Sequence, residues 1–107
     1  MFTVRSTLTI GMNYGDPAGE ALKGKAIPED TFMANVKDAM AHFGIDCYTV
    51  IDCQGYWIGQ PEASKRIEVI HGGELHKPLV SAARWLKLAM MQEAILVTKE
   101  DIKADLV

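Results

Sequence analysis

The sequence predicts an α+β domain whose elements follow the order β-α-β-β-α-β, and three observations carry that reading. Residues 2–10 alternate apolar and polar side chains with a period of two. Two later stretches, 28–43 and 76–91, space their apolar residues for one face of a helix. Short apolar runs bounded by glycine and proline lie between and after these stretches. A chain of 107 residues has room for one core, so residues 1–107 are expected to form a single domain.

The first strand buries Phe2, Val4, Leu8 and Ile10 and turns Thr3, Arg5, Thr7 and Thr9 outward, with Ser6 the one polar member of the buried row. Residues 13–27 hold Gly15, Pro17, Gly19 and Gly24 and show no apolar periodicity. A loop this long is either a functional lid or interface arm, or a loose surface insertion. Pro28 suits a first helical turn, and Glu29 and Asp30 favour the positive end of the helix dipole. Phe32, Val36, Met40 and Phe43 form the apolar stripe, and Gly44 stops the helix.

A second strand is predicted over 47–53 and a third around 65–70, joined by the turn-rich segment 54–61 and ended by Gly72-Gly73. The second helix, from about His76 to Met91, carries Leu79, Ala83, Leu86 and Met90 on one stripe. The fully apolar run 94–98 predicts a last strand in a central position of the sheet. This order gives two split β-α-β units with both helices over one face of an antiparallel sheet, a ferredoxin-like sandwich. The other face has no cover within the chain. Thr7, Arg66 and Glu68 are expected there, together with Tyr48, Val50 and Ile70. A mixed apolar and polar surface of that kind becomes a subunit interface, so an oligomer is expected.

Composition narrows the function. A hydrophobic content of 49% with 23% charged residues is that of an ordinary globular chain, and a net charge of −3 argues against a nucleic-acid partner. Cys47 and Cys53, six residues apart in one strand, stand roughly 20 Å apart and cannot bridge. A reducing compartment follows, and with no leader pattern after Met1 and no apolar run of membrane-spanning length, a cytoplasmic protein is expected. His42, His71 and His76 lack the spacing and companions of a metal site and read as helix-surface or helix-start residues. Neither a phosphate loop nor a serine nucleophile pair is present, and no cofactor is expected.

The densest cluster of functional side chains is at the second hairpin, where Gly55-Tyr56-Trp57 is followed by Glu62, Ser64, Lys65 and Glu68. Aromatic rings beside a carboxylate suit a cationic or planar ligand. The plainer reading is an aromatic turn closing the end of the core with solvated acids nearby. Glu62 and Glu68 share strand parity, so either could face a ligand.

Two resemblances enter on these residues. Gly55-x-Trp57, Glu62-x-Ser64-Lys65 and Gln92-Glu93 together resemble a family of small uncharacterised ferredoxin-like domains, with which no activity comes. Gly55-Tyr56, the run 65–69 and the segments 79–84, 92–97 and 104–107 are similar to bacteriophage S-adenosylmethionine (SAM) lyases, formerly called SAM hydrolases. That resemblance implies a homotrimer binding SAM at subunit boundaries, in the host cytoplasm. It implies cleavage of SAM to 5′-methylthioadenosine and homoserine lactone, an anti-restriction role, and a catalytic tyrosine and glutamate. Tyr56 matches the tyrosine, with Trp57 an equally good placement, while Glu62 and Glu68 compete for the glutamate. Trp57 and Ser64 are expected to touch the substrate. The alternative function is a non-enzymatic phage or bacterial domain that binds a host protein or a small nucleotide ligand.

Overall fold

The computed structural model describes residues 2–107; Met1, where the reading for a leader begins, lies outside them. The elements are strand β1 (Phe2–Gly11), helix α1 (Glu29–His42), strand β2 (Thr49–Trp57), strand β3 (Gln60–His71), helix α2 (His76–Ala89) and strand β4 (Leu96–Ala104). The strands form one sheet in the order β2-β3-β1-β4, every neighbouring pair antiparallel. This is the ferredoxin-like α+β arrangement, with both helices on one face.

The period-two pattern of the sequence does what its spacing demands from Val4 to Ile10, while Phe2, expected in the buried row, is exposed at the start of the strand. Leu8 pairs with Ile67 on one side and Val97 on the other, and Leu8, Ile10, Ile67 and Val69 are buried beneath the helices. From above, α1 contributes Phe32, Val36, Ala39 and Met40, and α2 contributes Leu79, Ala82, Ala83 and Leu86. Lys65 lies on the same face; its ammonium reaches Glu29 at the start of α1 (2.6 Å) and Asp52 on β2. The same ammonium stands over the Phe32 ring, 5.8 Å from its centroid. The start of α1 is thereby tied to the β2–β3 hairpin.

Three sequence expectations change. The turn between β2 and β3 is not residues 54–61 but only Ile58 and Gly59, with φ of +50° and +74°. Both central residues lie in the left-handed region, as the twist-matched two-residue hairpin requires. The glycine and proline that suggested a longer loop sit inside the strands. Pro61 is harmless there because β1 ends opposite Ser64 and offers it no second ladder.

The final strand is an edge, not a central strand. It starts at Leu96, which is 61% exposed, and continues through the charged stretch 99–103. The β1 and β3 strands fill the centre, and the lysines and acids of β4 suit an unpaired margin. Tyr48 and Val50 belong to the covered side: Val50 pairs with Ile67, and both pack against the core. In β2 the even-numbered residues point to the helices, so Thr49, Ile51 and Cys53 take the uncovered face. Thr7, Arg66, Glu68 and Ile70 lie on that face as expected.

Both helices end in the same way, with different residues. At α1 the Ile45 N–H donates to the Met40 carbonyl (2.8 Å) and Gly44 is left-handed at φ +72°. At α2 the Gln92 N–H donates to the Lys87 carbonyl (2.9 Å), and the left-handed residue is Met91, at φ +50°. These are Schellman stops, where glycine is the usual occupant.

Candidate functional site

A cleft of about 790 Å³ opens at the end of the sheet where β1 finishes and β3 begins. Its walls are the β2–β3 hairpin, the residues leading into β4, and the arm 13–26. Such a volume fits a small-molecule ligand.

The arm is built, not loose. The Asn13–Ala26 bridge pairs its two ends, Tyr14 N–H donates to the Lys25 carbonyl (2.9 Å), and Gly24 N–H donates to the Tyr14 carbonyl (2.9 Å). It is stitched to the loop before β4 as well. Gly15 N–H donates to the Met91 carbonyl (3.0 Å), and the Gln92 side-chain amide donates to the Asn13 carbonyl (2.8 Å). At the arm's tip Lys23 pairs with Asp16 (2.5 Å), which lowers the Asp16 carboxyl and raises the Lys23 ammonium.

Glu62 lines the cleft. Its neighbour across β2 is Gly55, and its carboxylate lies against Gly11 of β1. Removal from water pushes this carboxyl above its ordinary range. A hydrogen bond from the Asn13 backbone N–H opposes that rise, and the negative charge of Glu93 adds to it. Two carboxylates therefore share one cleft, and among the described residues Lys23 is the single basic one lining it. That balance favours a ligand with positive charge.

The other sequence-predicted site residues divide. Trp57 shares the face of Glu62 and lines the cleft, 54% exposed. Ser64 is buried on that face, its hydroxyl donating to the Glu62 carbonyl (3.2 Å) and filling the space beside Gly55. Tyr56 borders the cleft but alternates to the opposite face of the hairpin, 71% exposed. Glu68 is on the uncovered face, opposite Thr7 and Thr49, outside the cleft lining. Six residues of extended strand hold it roughly 20 Å from Glu62.

Gly11, Tyr14, Lys23 and Glu93 join the site without having been read as site residues. The signal for Tyr14 and Lys23 was the long loop itself. Glu93 stands where the α2 stop delivers the chain, a consequence of Met91's backbone that periodicity cannot register.

No protein-family model and no curated protein sequence matches this chain. Among solved structures it is similar to a phage SAM lyase in its apo state, with a TM-score of 0.71 and 18% identity over 94% of this chain and 81% of that one. It is also similar to a DUF3240-family protein from Shewanella baltica, with a TM-score of 0.62 and 11% identity over 100% of this chain and 98% of that one. At these identities the likeness is one of fold.

The opposite end of the sheet holds a second polar cluster. His71 is not a surface histidine: it ends β3 fully buried. Its Nδ1 accepts N–H bonds from Gly73 (2.9 Å) and Leu75 (3.3 Å). The proton of the neutral ring is therefore on Nε2, which donates to the Ser6 hydroxyl (2.8 Å), and Ser6 in turn donates to His76 Nδ1 (2.9 Å). The polar residue in the buried row of β1 is explained by these two rings. Burial lowers the His71 pKa below 6.5, assisted by His76 and Lys99 and opposed by Glu74. Among the described residues no group of histidine, cysteine and acidic side chains gathers as a metal site, and no helix is long and apolar enough to cross a membrane.

Proposed function

We propose that this chain is an S-adenosylmethionine lyase that cleaves SAM to 5′-methylthioadenosine and homoserine lactone. The observation that carries the reading is the Glu62 carboxylate, held in a cleft beside a second acid and the Trp57 ring, in a fold shared with a phage SAM lyase. SAM carries a sulfonium, an ammonium and a carboxylate. A cleft with two acids matches the two cations, and an aromatic wall suits the adenine or the sulfonium.

The chemistry asks for no resident nucleophile. An oxygen of the substrate's carboxylate attacks its γ-carbon, the new C–O bond closes the lactone, and the γ-carbon–sulfur bond breaks. The electron pair of that bond goes to sulfur, which leaves as a neutral thioether. Opposite charges disappear along the path, so a site drier than water favours the transition state. Holding the chain of the substrate folded contributes further, since intramolecular positioning can be worth about 7–11 kcal/mol. In this reading Glu62 faces the sulfonium or ammonium, Trp57 packs on the adenosine, and Ser64 shapes the floor.

The uncovered sheet face is the proposed contact of a homotrimer. Tyr56, exposed at the border of the cleft, orients the substrate carboxylate where a neighbouring copy closes the site. Glu68 lies on the face that such a neighbour covers.

Incubation of purified protein with SAM, followed by chromatography, should yield methylthioadenosine and homoserine lactone in equal amounts. Product no faster than spontaneous breakdown at micromolar protein would overturn the reading. Calorimetric binding of SAM without turnover would favour the non-enzymatic binding domain instead. Light scattering should give three times the chain mass; a strict monomer would remove the boundary site.

A further inference from the structure

We propose that Gly11 is a positioning residue for Glu62: the space its missing side chain leaves is the seat of the Glu62 carboxylate. The inference rests on the reading of Glu62 as the substrate-facing acid and names what holds that acid in place.

Three observations converge. A methyl group built on Gly11 would meet the Glu62 side chain, with Cδ 2.7 Å and Oε2 3.0 Å away. The backbone of Gly11 does not ask for glycine, because positive φ is confined to Gly19, Gly24, Gly44, Gly59 and Gly73 among the glycines. Glycine also weakens a strand interior relative to alanine, so the ladder itself would be better served by a larger residue. Space for another group is the remaining reason for its presence, and the group in that space is the Glu62 carboxylate.

The register explains why the carboxylate goes there. Gly11 is the last residue of β1 to pair with β3, opposite Ser64. Glu62 is two residues beyond that pair, on the same face, past the end of the β1 ladder. Across β2 its neighbour is Gly55, whose open space is already filled by the Ser64 hydroxyl (2.9 Å from a methyl built there). With that side closed, the Glu62 side chain leans back over β1 and settles on Gly11, within reach of the Asn13 N–H. Backbone beneath the carboxylate excludes water from one side, in agreement with the upward direction of its pKa.

Gly11→Ala tests this without threatening the fold, since the obstacle is the end of a flexible side chain. The Glu62 carboxyl is followed by carbon-13 NMR titration in both proteins. The expected result is a midpoint above 4.5 in the wild type that falls toward 4.5 in the variant. On SAM, turnover should fall roughly a hundredfold, the scale of an ångström of misplacement. Adding Gly11→Ala to Glu62→Gln should cost nothing further. If Gly11→Ala lowers the melting temperature, Glu62→Ala in the same chain should restore it. An unchanged Glu62 midpoint, or a loss of stability that persists without the carboxylate, overturns the proposal. The titration needs no substrate, so a wild type inert toward SAM would end the lyase reading and leave this one to be decided by the NMR.

Discussion

The two ends of the sheet each remove a titratable side chain from water, and they treat it in opposite ways. At the far end every polar atom of His71 has a partner: two backbone N–H groups on Nδ1 and the Ser6 hydroxyl on Nε2. At the cleft end Glu62 receives a backbone hydrogen bond from Asn13, faces the repulsion of Glu93, and lines the cleft. A buried group with its bonds complete holds a structure together. A group left partly desolvated in a cleft is destabilised in the free protein and gains when an oppositely charged ligand arrives. The difference separates the structural cluster from the candidate site more sharply than residue type does.

The largest effect expected from this contrast is on activity. Glu62→Gln should lower SAM turnover by about a hundredfold or more, the cost of losing one directed electrostatic contact, while Glu68→Gln stays near the wild-type rate. Assays of the two variants side by side check this; equal losses, or none, would break the distinction. The same Glu62→Gln change should stabilise the fold at neutral pH, because the raised carboxyl pKa means that ionisation is penalised in the folded state. His71→Ala should do the reverse, costing about 1–3 kcal/mol by leaving backbone N–H groups without acceptors, with the cleft chemistry intact. Urea midpoints for the two variants should move in opposite directions.

Acid sharpens the comparison. His71 has a lowered pKa, so its unfolded form takes up protons first. That contribution to stability is complete above about 6.5 and is lost as the pH falls toward the folded value. For Glu62 the folded pKa is the higher one, so the penalty of its ionised form fades as the pH falls through that value toward 4.5. Wild-type stability measured from pH 7.5 to 5.5 should decline with the His71 slope, and His71→Ala should flatten it. A wild type indifferent to pH in that window would place the His71 ring in water.

The two helix stops make a smaller comparison of the same kind. Gly44 occupies its left-handed position freely, whereas Met91 pays about 1 kcal/mol for the same conformation. Met91→Gly should raise stability by up to about that amount, and Gly44→Ala should lower it, as read by thermal melting. The least effect belongs to Lys65→Met. Its partners Glu29 and Asp52 have side chains 67% and 83% exposed and regain water readily, so the loss should stay within about 1 kcal/mol.

Periodicity made most of the fold legible. Alternation in residues 2–10, the stripes Phe32-Val36-Met40 and Leu79-Ala83-Leu86, and the stop at Gly44 depend on local geometry, and each element formed where its spacing put it. The hairpin was half legible: its aromatic and acidic residues marked the cleft, but their faces depended on a two-residue turn that Gly55 and Pro61 disguised. The apolar run 94–98 misled because composition speaks of burial in general and not of which strand takes the centre.

What the chain decided alone was which segments coil or extend and which of their faces are oily, since those follow from bond geometry and side-chain transfer. Which groups meet across the sheet was left to register and packing. Gly11 beneath Glu62, and Ser6 between two histidines 65 and 70 residues away, are contacts between segments far apart in the chain. No local preference encodes such a meeting; it exists only once the strands have aligned and their neighbours have excluded water.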